Sequence, residues 1–310
     1  MTDLTTLSGD IPRGFAFGTM QFGDRADETA SRGMFEACRA AGLTHFDTAH
    51  VYTDGRSEQL LGQFAAQDRE ALFIATKVGY IGGAGRENIL TTFDTCRQRL
   101  NMDVVDLLYM HRFDPDTPLD ETFETLSHLQ SDGKIRYIGV SNYAAWQVMK
   151  AQAVAHRFGT RIDAIQPMYS LVKRQAEVEI LPMCQSEKIA AIPYSPLGGG
   201  LLTGKYGAGG TGRLTEDHRY GVRYGDPRMY DTAAALTELA QELGTHPATL
   251  AVAWAARHAT QPTPILSARS VAQLAPSLDG MNYTMDDALY ARVSSLGVTP
   301  PPATDRLEEA

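Results

Sequence analysis

Residues 72–110, LFIATKVGYIGGAGRENILTTFDTCRQRLNMDVVDLLYM, decide the fold. Leu72-Phe-Ile-Ala-Thr76 is a short apolar run, the pattern of a buried strand. Ile89, Phe93, Cys96 and Leu100 then recur at spacings of 4, 3 and 4, which is one face of a helix. Val104–Met110 returns to a strand-like run, so the segment reads as a parallel βαβ unit. The alternation extends in both directions, with further strand-like runs at Gly14–Gly18, Leu43–Phe46, Ile135–Val140, Ile162–Gln166, Ile189–Pro193 and Thr263–Leu266. Leu119, Phe123, Leu126 and Leu129 mark another helical face, for which Thr117 is the expected N-cap and Pro118 the first helical residue, with a stop near Gly133. Eight strands alternating with helices predict an α/β fold, a single (β/α)8 TIM barrel spanning residues 1–310. An open doubly wound sheet in two domains is the rival, but no Pro/Ser-rich or charged linker divides the chain. The long irregular stretch at about residues 205–227, rich in Gly, Arg and Tyr, is expected to be a functional loop.

The 310 residues are 43% hydrophobic and carry a formal net charge of −9. That acidity argues against nucleic acid or an anionic membrane as the main partner, without excluding a locally basic pocket for a small anion. Cys38, Cys96 and Cys184 are far apart and form no CxxC, which reads as reduced thiols, with Cys96 on the apolar stripe of its helix. Met1-Thr-Asp-Leu-Thr-Thr lacks the basic and apolar regions of a signal peptide, and no apolar run nears the roughly 20 residues of a membrane span. A cytoplasmic protein is expected.

In such barrels the chemistry lies at the C-terminal ends of the strands. The second run leads into Asp47-Thr-Ala-His-Val-Tyr52, the third into Lys77 and the fourth into His111. The fifth ends in Ser141-Asn142, the sixth in Gln166 and the seventh in Tyr194-Ser195. Singly, each has a bland explanation: a helix cap, a solvated lysine, a packed tyrosine. Delivered by one topology to one mouth, they point to proton transfer. Tyr52 is the candidate acid; Lys77 would favour its phenolate and lower its pKa, while Asp47 holds Lys77 charged. His111 would orient a carbonyl oxygen beside Tyr52, so that negative charge developing on that oxygen is stabilised as a hydride arrives at carbon. His45, His50 and His111 lack the Cys or carboxylate neighbours of a metal site, and no metal is expected.

Pro196-Leu-Gly-Gly-Gly-Leu-Leu-Thr-Gly204-Lys205 is a glycine-rich turn after a strand, suited to leaving backbone N–H groups open to phosphate. Gly199 to Lys205 fits GxxxxGK, but Tyr206 stands where a nucleotide-binding P-loop needs Ser or Thr. No GxGxxG follows the first strand, so a Rossmann site is unsupported.

Together these segments resemble the aldo-keto reductase family. Phe46-Asp-Thr-Ala-His-Val-Tyr52 with Gly55-Arg-Ser-Glu58 is similar to the signature around its catalytic Asp and Tyr, and Ala75-Thr-Lys77 and Leu108-Tyr-Met-His111 to its Lys and His segments. Gly139-Val-Ser-Asn142, Gln166-Pro-Met-Tyr-Ser170 and Tyr194-Ser-Pro-Leu197 resemble its cofactor-binding segments. The resemblance runs in order from about Gly14 to Leu278 and is nearest the bacterial general-stress-reductase branch, related to potassium-channel β subunits. It implies a reductase of aldehydes or ketones with Asp47, Tyr52, Lys77 and His111 as a catalytic tetrad. It places Gly18, Thr19 and Met20 with the cofactor, Ser141, Asn142 and Gln166 on the nicotinamide carboxamide, and Tyr194 against the ring. Ser195, Leu197, Gly199 and Lys205 fall along the pyrophosphate, under the closing loop.

One region departs from the family pattern. Ile-Pro-Gly-Ala-Arg is here Ile265-Leu-Ser-Ala-Arg269, and Gln-Leu-x-x-Asn is Gln273-Leu-Ala-Pro-Ser277. Ser267, Arg269 and Gln273 remain the expected contacts at the adenosine phosphate, since Arg suits bidentate phosphate binding. Loss of the Asn removes an adenine contact, so NADP (NADPH) is expected with NAD as the alternative. Two other functions compete. In a Schiff-base barrel Lys77 is the nucleophile and must be neutral when it attacks; in a nucleotide-sensing subunit turnover is not the role. Met20, Phe22, Tyr80, Phe113 and Tyr143 are the candidate substrate contacts, and oligomeric state is left open by the sequence.

Overall fold

A computed structural model describes residues 4–207 and 209–309. Met1 to Asp3 of the amino terminus and Ala208 of the long loop lie outside the described residues. The strands are β1 (Ala16–Gly18), β2 (His45–Asp47), β3 (Phe73–Val78), β4 (Val105–Met110), β5 (Ile135–Ser141), β6 (Ala164–Gln166), β7 (Ala190–Ala191) and β8 (Ile265–Leu266). All pair in parallel, in the order β7-β6-β5-β4-β3-β2-β1-β8. Two backbone bonds join the sheet's ends: Thr263 N–H donates to the Ala191 carbonyl and Ile265 N–H to that of Pro193, both at 2.8 Å. The sheet is therefore a closed (β/α)8 barrel, as the alternation predicts.

Helices α1 (Glu28–Ala40), α2 (Arg56–Ala65), α3 (Arg86–Leu100), α4 (Leu119–Ser131), α5 (Ala145–Arg157) and α6 (Ile180–Glu187) follow the first six strands in turn. After β7 come α7 (Arg213–Glu216), α8 (His218–Arg223), α9 (Pro227–Glu242) and α10 (Pro247–Arg257); α11 (Val271–Gly280) and α12 (Asp287–Ser294) follow β8. Local chemistry sets the starts: the Asp27 carboxylate caps α1 through Ala30 N–H, and Asp226 caps α9 ahead of Pro227. The start of α4 differs from expectation. Pro118 occupies the cap position and Leu119 begins the helix, because the Thr117 hydroxyl donates to Asp114 at 2.7 Å instead of accepting from the helix.

The period-two alternation of the strands divides the core into two layers. Phe73, Ala75, Leu107 and Tyr109 fill the barrel with Ala16, Ala164, Ile192 and Ile265, while Ile74, Val78, Leu108 and Met110 face the helices. Lys77 shares the inward parity of Phe73 and Ala75. Cys38, Cys96 and Cys184 are all buried and unbridged, consistent with packing roles. No helix among the described residues is long and apolar enough to cross a membrane.

The amino-terminal end of the barrel carries its own buried charges. Asp106 accepts from Ile74 N–H and pairs with Arg69 and Arg136. Asp163 accepts from Ile138 N–H at 3.0 Å, and burial pushes its carboxyl up to about 6. A carboxyl raised above its unfolded value imposes no penalty below pH 4 and the full penalty above pH 6. Asp163→Asn is therefore expected to gain about 1–3 kcal/mol over wild type at pH 7.5 and nothing at pH 4, read by urea unfolding at both pH values. A gain that is the same at both would show that the charge of Asp163 is not what costs stability.

Candidate active site

The strand ends bring the expected residues to the carboxyl mouth. Asp47 is the last residue of β2, Lys77 the penultimate of β3, and His111 follows β4 directly. Lys77 is fully buried and its ammonium is ion-paired with the Asp47 carboxylate. It also donates to the Thr48 carbonyl at 2.7 Å and to the Tyr52 hydroxyl at 3.4 Å. Gln166, from the end of β6, donates to the other oxygen of Asp47 at 2.9 Å. Burial alone pushes the lysine down, but Asp47 and Tyr52 outweigh it and its pKa is raised. Lys77 is thus an ammonium at neutral pH.

Tyr52 departs from expectation in direction. Burial raises its phenol above the ordinary value, and the Lys77 ammonium opposes this without reversing it. The side chain remains a protonated phenol. His111 is nearly buried; burial first, then Lys77 and Arg112, lower its pKa to about 3, so the imidazole is neutral. Its ring stands edge-on to that of Tyr52, 5.9 Å between centroids and 83° between planes, and its Nδ1 has no hydrogen-bond partner. The arrangement is a neutral phenol and a neutral imidazole at one mouth, backed by a fixed cation.

Ser141 and Asn142 adjoin the same mouth. The Ser141 hydroxyl donates to the Gln166 carbonyl at 3.0 Å, and Asn142, held at φ +57°, donates to the His111 carbonyl and accepts from the Tyr194 hydroxyl at 2.7 Å. Gly18 admits no side chain: a Cβ there would lie 2.9 Å from Ile265. The Thr19 hydroxyl is committed to Ser57 and the Asp47 carbonyl, which leaves Met20 as the half-buried residue of that loop. Ser195 is also left-handed, at φ +61°, and turns the chain into Leu197 and the glycines. Gly198, Gly199, Gly200 and Gly204 all have positive φ. The N–H groups of Gly198, Gly200, Leu202 and Gly204 bond within this turn, so fewer face outward than the glycine count implies.

The long loop carries α7 and α8, which the sequence does not signal. Leu214, Tyr220 and Tyr224 lie within 3.2 Å of a Cβ built on Gly199, so the loop rests directly on the glycine turn. Its Glu216 joins two other loops, pairing with Arg25 at 2.7 Å and with Arg269 at 3.4 Å. Lys205 is pulled down by partial burial and by Arg269. The Ser267 hydroxyl is buried without a partner, and exposed Gln273 accepts from Arg269 N–H at 3.2 Å. Ser277 is buried in α11, so position 277 belongs to packing.

The candidate substrate contacts divide. Phe22 is fully buried against Phe17 and Phe64 and belongs to the core. Tyr80 lies against the His111 ring at 4.9 Å and carries Arg112 on its face. Phe113 contacts Tyr143, which is largely buried, and Trp146, which is 62% exposed. Trp146 is missed from the sequence because its place in the first turn of α5 looks like ordinary helix surface; a Trp four positions after Asn142 is the signal the sequence offers.

Comparison with known proteins decides the family. Residues 15–297 match the family model described as "Aldo/keto reductase family". The chain belongs to the aldo/keto reductase family. Similar proteins include "Uncharacterized oxidoreductase YrpG" of Bacillus subtilis (strain 168), 30% identical across 90% of each chain. "Probable voltage-gated potassium channel subunit beta" of Oryza sativa subsp. japonica is 31% identical across 84% of each. "L-glyceraldehyde 3-phosphate reductase" of Escherichia coli O157:H7 is 31% identical across 78% of this chain and 75% of its own. The chain is an oxidoreductase of this aldo/keto reductase family, and its barrel places the polar strand ends together.

The Lys77–Asp47 pair gives a stability test. Lys77→Met leaves the buried Asp47 carboxylate uncompensated and is expected to cost about 3–5 kcal/mol in urea unfolding, with Lys77→Met/Asp47→Asn recovering most of it. A double variant no more stable than the single one would show that the pair is not coupled.

Proposed function

We propose that this aldo/keto reductase reduces an aldehyde or ketone to an alcohol with NADPH, and that Tyr52 donates the proton. One observation carries the reading: a protonated Tyr52 phenol lies 3.4 Å from an ammonium that is itself buried and ion-paired. The Tyr52 hydroxyl donates to the substrate carbonyl oxygen, and its proton passes there as the carbon is reduced. The phenolate left behind faces Lys77, whose charge Asp47 maintains, so the cost of forming it falls where it forms. Neutral His111 contributes one N–H to the same oxygen, a donor without the competing charge of an imidazolium. The charged state of Lys77 disfavours the Schiff-base alternative.

The residues fit a phosphorylated nicotinamide cofactor. Lys205 feels Arg269, Arg213 and one carboxylate, Glu216, which pairs with Arg269, and Ser267, two residues before Arg269, has an unpartnered buried hydroxyl: a cationic corner on an acidic protein. Arg269 and Ser267 would hold the 2′-phosphate, Lys205 and the Ser195–Gly199 turn the pyrophosphate, and Ser141, Asn142, Gln166 and Tyr194 the nicotinamide, with Met20 beside it. When bound, the cofactor supplies the hydride. The loop at residues 205–227 would close over it through Glu216. Tyr80, Phe113 and Trp146 favour a carbonyl compound with an apolar flank. A soluble cytoplasmic setting goes with this small-molecule chemistry.

Tyr52→Phe is expected to lower kcat for NADPH-dependent reduction by about 10²–10⁴-fold while leaving the NADPH dissociation constant, from intrinsic-fluorescence titration, within threefold. Undiminished turnover would remove Tyr52 as the donor. Arg269→Ala is expected to weaken NADPH by about tenfold or more and NADH by less than twofold in the same titration. Equal losses for both cofactors would take Arg269 away from the 2′-phosphate.

A further inference from the structure

The turn that presents Tyr52 is not one its sequence prefers. Thr53, Asp54 and Gly55 are consecutively left-handed, at φ +47°, +51° and +89°, and two of the three carry a Cβ. Such a conformation persists only where the surroundings over-determine it. Two sets of contacts do so. On one side the Thr53 hydroxyl donates to the Phe22 carbonyl and accepts from Ser57 N–H, both at 2.9 Å. On the other, Arg99 reaches across from the last turn of α3. It donates to the carbonyl of His50 at 2.9 Å, two residues before Tyr52, and its guanidinium carbon occupies the place of a Gly55 side chain, 2.3 Å from where a Cβ would be.

Arg99 is itself fixed. Its guanidinium donates at 3.2 Å to Glu58, whose carboxylate is fully buried in the first turn of α2. The other Glu58 oxygen accepts from the Thr76 hydroxyl at 2.7 Å, and Thr76 is the neighbour of Lys77 in β3. One turn further along α2, Gly62 meets the α3 backbone so closely that a Cβ would lie 2.2 Å from the Leu100 carbonyl oxygen. The two helices are thus locked together where Glu58 and Arg99 pair. Neither side chain is given a role in the reading above, and neither touches the mouth.

We propose that Arg99, anchored by Glu58, is a positioning residue that holds the left-handed turn and so keeps the Tyr52 hydroxyl in register with Lys77. The buried carboxylate ties one rigid brace to both partners: to Lys77 through Thr76 and β3, and to Tyr52 through Arg99 and the His50 carbonyl. The inference rests on Tyr52 as the proton donor, since only then does its register govern rate.

The full-length protein is tested as Arg99→Met, Arg99→Lys and Tyr52→Phe, by hydrogen exchange without ligand and by reduction of 4-nitrobenzaldehyde with NADPH. In Arg99→Met, amide exchange across residues 49–57 is expected to speed up tenfold or more while β3 stays protected. Its kcat is expected to fall by about 10–100-fold, with KM and NADPH affinity within threefold. Arg99→Lys, which keeps a cation on Glu58, is expected to fall between, about 2–5-fold below wild type. Exchange at 49–57 within twofold of wild type in Arg99→Met overturns the proposal, whatever the activity. If Arg99→Met does not fold, wild-type exchange and kcat in Arg99→Lys assign Arg99 to folding alone and overturn it equally. Full activity in Tyr52→Phe would instead sink the proton-donor reading, so the two failures are distinguishable.

Discussion

An ammonium buried at the top of a barrel constrains everything around it. Taking Lys77 and Asp47 out of water costs several kcal/mol per ion, and their attraction offsets this only when the remaining donors and acceptors are satisfied. Here they are: Gln166 covers the second Asp47 oxygen, and the Thr48 carbonyl and Tyr52 hydroxyl take further lysine protons. The pair therefore enlists residues from β2, β3, β6 and the β2 exit loop. An apolar pair of the same volume would hold a barrel at least as well. What it cannot do is keep a fixed positive charge against a neutral phenol, and that difference is where fold becomes chemistry.

The same economy of charge separates the two ends of the barrel. Asp106 and Asp163 at the amino-terminal end accept backbone N–H bonds and pair with arginines. At the carboxyl end, His111 Nδ1 and Ser267 Oγ are buried without partners. Arg69 Nε, beside Asp106 at the other end, is also buried without a partner, so such a gap does not by itself mark a ligand site. The aromatic residues follow the same division: Phe73 and Tyr137 stack inside the barrel, whereas Tyr80, Phe113 and Trp146 stand at the rim.

How much of this the sequence discloses follows from what each feature depends on. The apolar runs depend only on neighbours, and they bring Asp47, Lys77 and Gln166 to strand ends, although β3 continues through Lys77 to Val78. Strand bounds are less legible: β7 keeps only Ala190–Ala191 of the run Ile189–Pro193 and β8 only Ile265–Leu266 of Thr263–Leu266, where Pro193 and Pro264 have no N–H to give a ladder. Thr117 has the composition of a cap, yet Asp114, three residues away, is the stronger acceptor for its hydroxyl. Phe22 looks like a loop aromatic until Phe17 and Phe64 enclose it. The direction of the Tyr52 shift depends on desolvation against one charge, and no sequence states the burial that decides it. The Arg99–Glu58 pair spans forty-one positions between two helices, beyond the reach of any local pattern.

The long loop shows why a closed arrangement need not be a permanent one. Glu216 links it to Arg25 and Arg269, but all three side chains keep about a third of their surface in water. Ion pairs so exposed contribute about 0–1 kcal/mol each, because water and salt compete for both partners. The short helices α7 and α8 add the contacts of Leu214, Tyr220 and Tyr224 over Gly199, of which Tyr220 is itself only half-buried. Opening the loop would break these two weak pairs and also expose Leu214 and the fully buried Tyr224, so the apolar contact, not the ion pairs, sets its cost. A phosphate offered to Arg269 would compete with Glu216 for the same guanidinium, and Arg25 would still hold the carboxylate. Under the proposed function, two arginines on one carboxylate would let the loop exchange a partner without losing its attachment.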